Sequence, residues 1–500
     1  MKVPASTKVL IIGGGPAGST VASFLADQGI EVTLFEKEHF PRYHIGESLI
    51  VSVQPIIDLL GARDEIDRHG FQKKSGVYWQ WGNEEWLFDW KNLDYDYSYH
   101  VKREDFDNIL LKNSQKKGAK VFQGMMVDEI TFEGNRPVSA SWTSSDDRVS
   151  GKIDFDYLVD ASGRARIMAN KYLKSIKYLD SFQNVAIWGY WEDVKIMTNE
   201  VNGPLTVGSI DDGWIWGIPL KDGSMSVGLV LHKDQFSSLK KKSTVEEIYI
   251  NKLKQSDLFT AMTEKSKLVS DIKIEADYSY VSKSLTGPGY FLVGDSACFI
   301  DPLLSSGVHL AMHSALLASA SLSSIINQEI DQVDASEFYQ RSYQGHFLRW
   351  ALLVSGFYQV NKSKDNHFWA AQQLSPREVG SLDIGSLDMK QIFATLVSGV
   401  VDLEEINSSM LLKETSNRLE GYFQHDQKQN LEASLKNGNE EIFDYLDRVK
   451  NRDPRAAKQR YNKGGNESFT FGLDVDNAVN DLYVSTSPFV HLAKLETVTI

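Results

Sequence analysis

An apolar strand, a glycine-rich turn and a helix open this chain, and few folds accept that order. Val9-Leu10-Ile11-Ile12 runs into Gly13-Gly14-Gly15-Pro16-Ala17-Gly18, which fits G-x-G-x-x-G at Gly13, Gly15 and Gly18. The first glycine permits a tight turn. The second lets backbone approach a pyrophosphate, and the third lets the helix pack on the sheet. The helix start offers amide donors and a favourable dipole to phosphate. Ala17, inside the turn, counts with the cofactor-binding residues. Val32-Thr33-Leu34-Phe35 then delivers Glu36 at the end of the next strand, where a carboxylate accepts from ribose hydroxyls. A bare turn with a surface glutamate is the plainer reading. The strand before and the helix after make nucleotide binding the better one.

The rest of the pattern predicts an α/β cofactor domain with an inserted antiparallel sheet, followed by helices. Residues 50–70 and 101–116 read as helical, and 77–90 and 120–132 as strands. Residues 180–232 alternate strongly and predict a sheet broken at Asn202-Gly203 and Asp222-Gly223. Tyr290 to Gly294 reads as a buried parallel strand. The expected division is 1–330 for the cofactor module, with its inserted sheet at about 77–100 and 180–285. Residues 331–500 follow as a mainly helical lobe with an irregular tail.

With 500 residues and 42% hydrophobic content, the chain can bury a large core in two lobes. Its formal net charge of −14 argues against a protein that tracks nucleic-acid phosphates. The single cysteine, Cys298, allows no intrachain disulfide and fits a reducing compartment, so a cytoplasmic location is expected. A first strand near Lys8 leaves no room for a removable signal peptide. The run Val308 to Ile326 carries two histidines and several serines, and reads as a core helix rather than a membrane span. No metal site is expected.

Three further segments carry chemistry. In Gly213-Trp214-Ile215-Trp216-Gly217-Ile218-Pro219, alternate side chains share a face, so Trp214, Trp216 and Ile218 build one bulky apolar wall that Pro219 ends. Alone, such a run is most often a core strand. Phe299-Ile300-Asp301-Pro302-Leu303-Leu304-Ser305-Ser306-Gly307 reads as a loop feeding a helix, whose free N–H groups attract anions. In Gly70-Phe71-Gln72-Lys73-Lys74-Ser75-Gly76, a lysine near apolar walls can lose its charge and act as a nucleophile or donor. For an arbitrary Lys-Lys pair, a solvated turn is the better reading.

Together these segments resemble the flavin-dependent halogenases. Arg103 in Val101-Lys102-Arg103-Glu104-Asp105-Phe106-Asp107 resembles the flavoprotein arginine that reaches the cofactor. Asp160-Ala161-Ser162-Gly163-Arg164 and Gly294-Asp295-Ser296-Ala297 resemble that fold's second turn and its G-D motif, in which Asp295 would hold the ribityl chain. Arg42 and Ser48 belong to the matching segment Pro41-Arg42-Tyr43-His44-Ile45-Gly46-Glu47-Ser48. The resemblance implies the flavoprotein monooxygenase fold, FAD used as FADH2, chloride or bromide and O2 as co-substrates, and a separate flavin reductase as partner.

It also implies halide contact at Ser306 and Gly307. The Trp214–Pro219 wall would separate flavin from organic substrate, and Lys74 would deliver hypohalous acid to the ring. Tryptophan halogenases carry a glutamate just before the Ser/Thr-Gly of the halide loop, where this chain has Leu304. The segments lie nearest the fungal and other eukaryotic halogenases of polyketide pathways, the radicicol halogenase among them. The expected substrate is therefore a free phenol, halogenated beside its hydroxyl. Phe338, Tyr339, Phe347, Trp350, Phe357, Tyr358, Phe368 and Trp369 are candidate pocket residues, each more often core. The rival readings are a single-component aromatic hydroxylase using NADPH, a flavin-binding redox sensor, and a halogenase of carrier-bound substrates.

Overall fold

The computed structural model describes residues 2–82, 84–89, 96–360, 482–487 and 489–494. By contacts the chain divides into Met1–Gly385 with Leu473–Ile500, and Ser386–Gly472; all described residues belong to the first unit.

Strand β1 (Ser6–Ile12) leads through the glycine turn into helix α1 (Pro16–Asp27) and strand β2 (Val32–Glu36). Gly13 has φ +106°, and a Cβ there would lie 2.2 Å from the Ala161 carbonyl oxygen, so the turn requires glycine. Helices α2 (Gln54–Leu59) and α3 (Arg63–His69) precede strands β3 (Gln72–Lys74), β4 (Gly76–Trp81), β5 (Glu84–Asp89) and β6 (Ser98–His100). Helix α4 (Arg103–Lys116) follows, then β7 (Lys120–Gln123), β8 (Met125–Glu133), β9 (Arg136–Ser144) and β10 (Ser150–Asp160).

The next strands are β11 (Ile176–Glu192), β12 (Leu205–Ile210), β13 (Gly213–Pro219) and β14 (Met225–His232). Helices α5 (Lys233–Lys240), α6 (Val245–Leu253) and α7 (Asp257–Thr263) come before β15 (Lys267–Leu268), β16 (Lys273–Ser282), β17 (Thr286–Gly287), β18 (Tyr290–Leu292) and β19 (Cys298–Phe299). Helices α8 (Gly307–Ile326) and α9 (Gln332–Val360) follow, and β20 (Leu482–Ser485) pairs with β21 (His491–Lys494).

The cofactor sheet runs β17-β18-β10-β1-β2-β7, with β1 parallel to both β2 and β10. The strand order reverses at β1, which opens a crevice at its carboxyl end. A second sheet runs β19-β16-β11-β14-β13-β12-β4-β5. One face of it meets α5, α6 and α7, where Ile215, Val227 and Leu229 pack with Ile248, Phe259 and Met262. The expected inserted sheet held no such helices. Thr244 and Glu247 close a reciprocal capping box at the start of α6, a T-x-x-E signal already present in the sequence.

Where an irregular tail was expected, Leu482, Val484, Val490 and Leu492 are buried by a hairpin against α8. Gln28 Nε2 donates to the Val490 carbonyl at 3.2 Å, and Leu492 N donates to Ser324 Oγ at 2.9 Å. Helix α8 is long and apolar enough to cross a membrane, yet 94% of that window is buried inside the fold. Cys298 is buried, and burial pushes its thiol up to about 12.

Candidate active site

A cavity of about 400 Å³ opens at the carboxyl end of β1. Gly13, Gly15, Ala17, Glu36, Arg42, Ser48, Arg103 and Asp295 line it. Of the other expected cofactor residues, Gly18 packs α1 against the turn and Gly294 shapes the bend before Asp295; neither lines the cavity. Glu36 Oε2 accepts from Gly14 N at 2.7 Å, and its Oε1 from Glu38 N at 2.9 Å. That fixes the carboxylate beside the turn, where a ribose would meet it.

Arg103 is pinned in a fork. Its Nε and Nη2 donate to Asp107 at 2.7 and 2.9 Å, and its Nη1 donates to the Ile45 carbonyl at 3.0 Å. Burial raises the Asp295 carboxyl above its ordinary range, and Arg164, Arg103 and Arg166 oppose that shift. A cavity lined by the glycine turn, the start of α1, Glu36 and Asp295 suits an FAD, in which Glu36 would meet a ribose and Asp295 the ribityl hydroxyls.

The wall forms the far side. Trp214, Trp216 and Ile218 line the cavity, while Ile215 faces the core beneath α6 and α7. Alternation puts these three side chains on one face, and every residue of β13 is buried because both faces are covered. Pro219 ends the strand and does not line the cavity. The two indoles sit 5.8 Å apart. Trp214 Nε1 donates to Tyr358 Oη at 2.8 Å, and Tyr358 Oη donates to Asp301 at 3.0 Å. Asp301 also accepts from Asn184 Nδ2 at 3.1 Å and Leu303 N at 2.9 Å, and burial lifts its carboxyl to about 6.

This buried carboxyl anchors the loop at which an anion would sit. Ser305 adopts φ 57°, Ser306 caps α8, and Gly307 is its first residue. Ser305 and Gly307 line the cavity, whereas Ser306 is 1% exposed with an unpartnered Oγ. The amides of this first helical turn have no partner within the helix, so they offer donors to halide.

Sequence reasoning missed a hydrogen-bonded chain on the same cavity. Trp188 Nε1 donates to Tyr43 Oη at 2.9 Å, Tyr43 Oη meets Tyr190 Oη at 3.0 Å, and Tyr190 Oη donates to Glu47 Oε1 at 2.6 Å. Burial raises Glu47 to about 6. The signal lay in Gly46-Glu47-Ser48, a charge inside an otherwise small, apolar stretch.

Lys74 and Lys73 part company, as alternation on a strand requires. Lys73 is exposed, with its Nζ 3.7 Å from the centre of the Tyr97 ring. Lys74 is 1% exposed; its Nζ donates to Ser48 Oγ at 2.9 Å and to the Leu49 carbonyl at 3.1 Å. Burial lowers it to about 7, so a large neutral fraction exists near neutrality. Lys74 does not line the cofactor cavity, but Ser48 does, so one side chain spans the two.

Among the candidate pocket aromatics, Phe338, Tyr339, Phe347 and Tyr358 are buried. Tyr339 packs edge-on to Phe291 of β18, which makes it core of the cofactor sheet. Trp350 is half-buried. Phe368, Trp369 and the Phe357 side chain lie outside the described residues.

The tryptophan halogenase family matches this chain over residues 8–92 and 90–382. A tryptophan 2-halogenase of Chondromyces crocatus is 57% identical over 99% of this chain and 95% of its own length. The flavin-dependent halogenase ptaM of Pestalotiopsis fici is 37% identical over 73% of this chain and 72% of its own. Among solved structures, the myxobacterial chondrochloren halogenase CndH, an FAD-dependent halogenase, superposes with a TM-score of 0.70 at 33% identity, covering 79% of this chain and 90% of that one. These relatives do not favour the hydroxylase reading. Matched by the tryptophan halogenase model over most of its length and by flavin-dependent halogenases among its relatives, this chain belongs to the tryptophan halogenase family of flavin-dependent halogenases.

Proposed function

We propose that this enzyme halogenates an electron-rich aromatic ring at Lys74, and that the ring is the indole of tryptophan or a tryptophan derivative. The observation that carries the substrate is similarity to a protein named tryptophan 2-halogenase across 99% of the chain, well beyond the share that the fungal relatives cover. A phenol is the second reading. Leu304, at the position where tryptophan halogenases carry glutamate, favours it, because a phenol activates its own ring.

Reduced FAD, supplied by a separate reductase, provides the oxygen chemistry that converts halide to hypohalous acid. Glu36, Arg103 and Asp295 hold the cofactor. The first-turn amides at Ser306 and Gly307 hold the halide. Trp214, Trp216 and Ile218 keep the organic substrate off the flavin, and Ser48 marks the passage to Lys74.

The test is product mass from enzyme, FAD, a flavin reductase, NADH and chloride or bromide, offered tryptophan and a panel of phenols. A halogen isotope doublet on tryptophan supports the first reading. A doublet on phenols alone moves the substrate to the second. A gain of one oxygen overturns both.

A further inference from the structure

Lys74 stands on a small sheet with unused hydrogen-bonding capacity. Strand β3 pairs antiparallel with β6, setting Gln72 opposite His100 and Lys74 opposite Ser98. Residues two apart share a face, so Lys74, Ser98 and His100 lie on one side of the ladder. Ser48, which accepts from Lys74, bridges His100 on the other edge.

His100 is fully buried. Its Nε2 lies 3.0 Å from the Gly203 carbonyl oxygen. A carbonyl only accepts, so Nε2 carries the hydrogen and the neutral ring keeps its lone pair on Nδ1. That Nδ1 is buried without a hydrogen-bond partner, and so is Ser98 Oγ. A buried acceptor left bare is costly, and this one lies on the same face of the ladder as Lys74.

We propose that His100 is the proton acceptor of ring halogenation, taking onto Nδ1 the proton the aromatic substrate loses beside Lys74. The proposal rests on the reading that Lys74 delivers hypohalous acid. The ring's π electrons form the carbon–halogen bond while the oxygen–halogen bond breaks. The departing hydroxide takes a proton from the Lys74 ammonium and leaves as water. The ring proton passes to His100 Nδ1 and aromaticity returns. The imidazolium then returns its proton to the neutral Lys74 amine, so ring and hypohalous acid become halogenated ring and water with both side chains restored. Burial, and then the Lys74 charge, depress the basicity of His100 in the resting enzyme. Loss of that charge during the step removes the second cause when the imidazole must accept.

His100→Gln tests this, because the glutamine amide can still donate to Gly203 while no base remains at Nδ1. Wild type and variant are compared with reductase, FAD and halide, on whichever aromatic substrate the wild type halogenates, with and without deuterium at the reacting carbon. Product from wild type alone judges the substrate reading; the ratio of variant to wild type judges His100. Expected are unchanged FAD binding and flavin oxidation, product formation lower by about 10²-fold or more, and a primary isotope effect absent from wild type. His100→Asn is read in the same way if the glutamine variant loses FAD. Halogenation within threefold of wild type in either FAD-binding variant overturns the proposal, as does a slow variant without an isotope effect.

Discussion

The indole nitrogen of Trp214 donates to the phenolic oxygen of Tyr358, 144 positions further along the chain, at 2.8 Å. Strand β13 is thereby held from helix α9, and Asp301, in the loop before α8, holds the same hydroxyl. Strand, loop and helix α9 are joined by these bonds.

Tyr358→Phe leaves the Trp214 nitrogen buried without an acceptor while Asp301 keeps Asn184 and Leu303. A cost of about 1–3 kcal/mol is expected. Chemical denaturation of the variant checks it, and an unchanged midpoint would show that the bond contributes nothing net.

Gly228→Ala should disturb the wall from the neighbouring strand, where Gly228 lies directly opposite Trp216. A Cβ at Gly228 would lie 1.9 Å from a ring carbon of Trp216, so the indole must move into the cavity. Overpacking of this kind costs about 1–3 kcal/mol. Weaker FAD binding and less halogenated product per reduced flavin consumed are expected. Product yield matching wild type would mean that the ring finds another seat.

Lys74 gives a pH signature. Its amine sits at about 7 in the fold against an ordinary 10.5, so between those values the unfolded chain binds more protons. Stability therefore rises with pH across that window. Lys74→Met removes the slope. The melting temperature of the variant minus that of wild type should be largest near pH 7 and shrink as pH rises toward 10.5. A difference independent of pH would place the amine at its ordinary value. Lys74→Ala should still bind FAD and oxidise reduced flavin while yielding no halogenated product.

Glu36→Ala removes the acceptor for the amides of Gly14 and Glu38 as well as for the ribose. Hydrogen bonds to a charged group contribute about 1.5–3 kcal/mol, so FAD affinity should fall about 10- to 100-fold. Fluorescence titration measures this, and an unaltered affinity would leave Glu36 a purely structural brace.

The cofactor end was legible because its rules are local. A strand, three spaced glycines and a helix fix the turn whatever surrounds them, and strand alternation separated the wall residues from Ile215; Lys74 was told from Lys73 only by its place in the resembling motif. What stayed hidden depends on contacts across the chain. Neither Tyr358 nor Asn184 carries a local sign that it will meet Asp301. The Glu47–Tyr190–Tyr43 chain joins residues 143 positions apart. Helices α5 to α7 were missed for another reason: the strong alternation before them hid a capping box that local reading could have found.

The lone thiol gains meaning from this chemistry. Hypohalous acid attacks thiolates, so an enzyme of the proposed activity would expose its own thiol to that oxidant. Cys298 lies three residues before Asp301, where burial pushes its thiol up to about 12 and thiolate is scarce at neutral pH. Burial that serves packing thus also keeps the single cysteine of the chain in its less nucleophilic form.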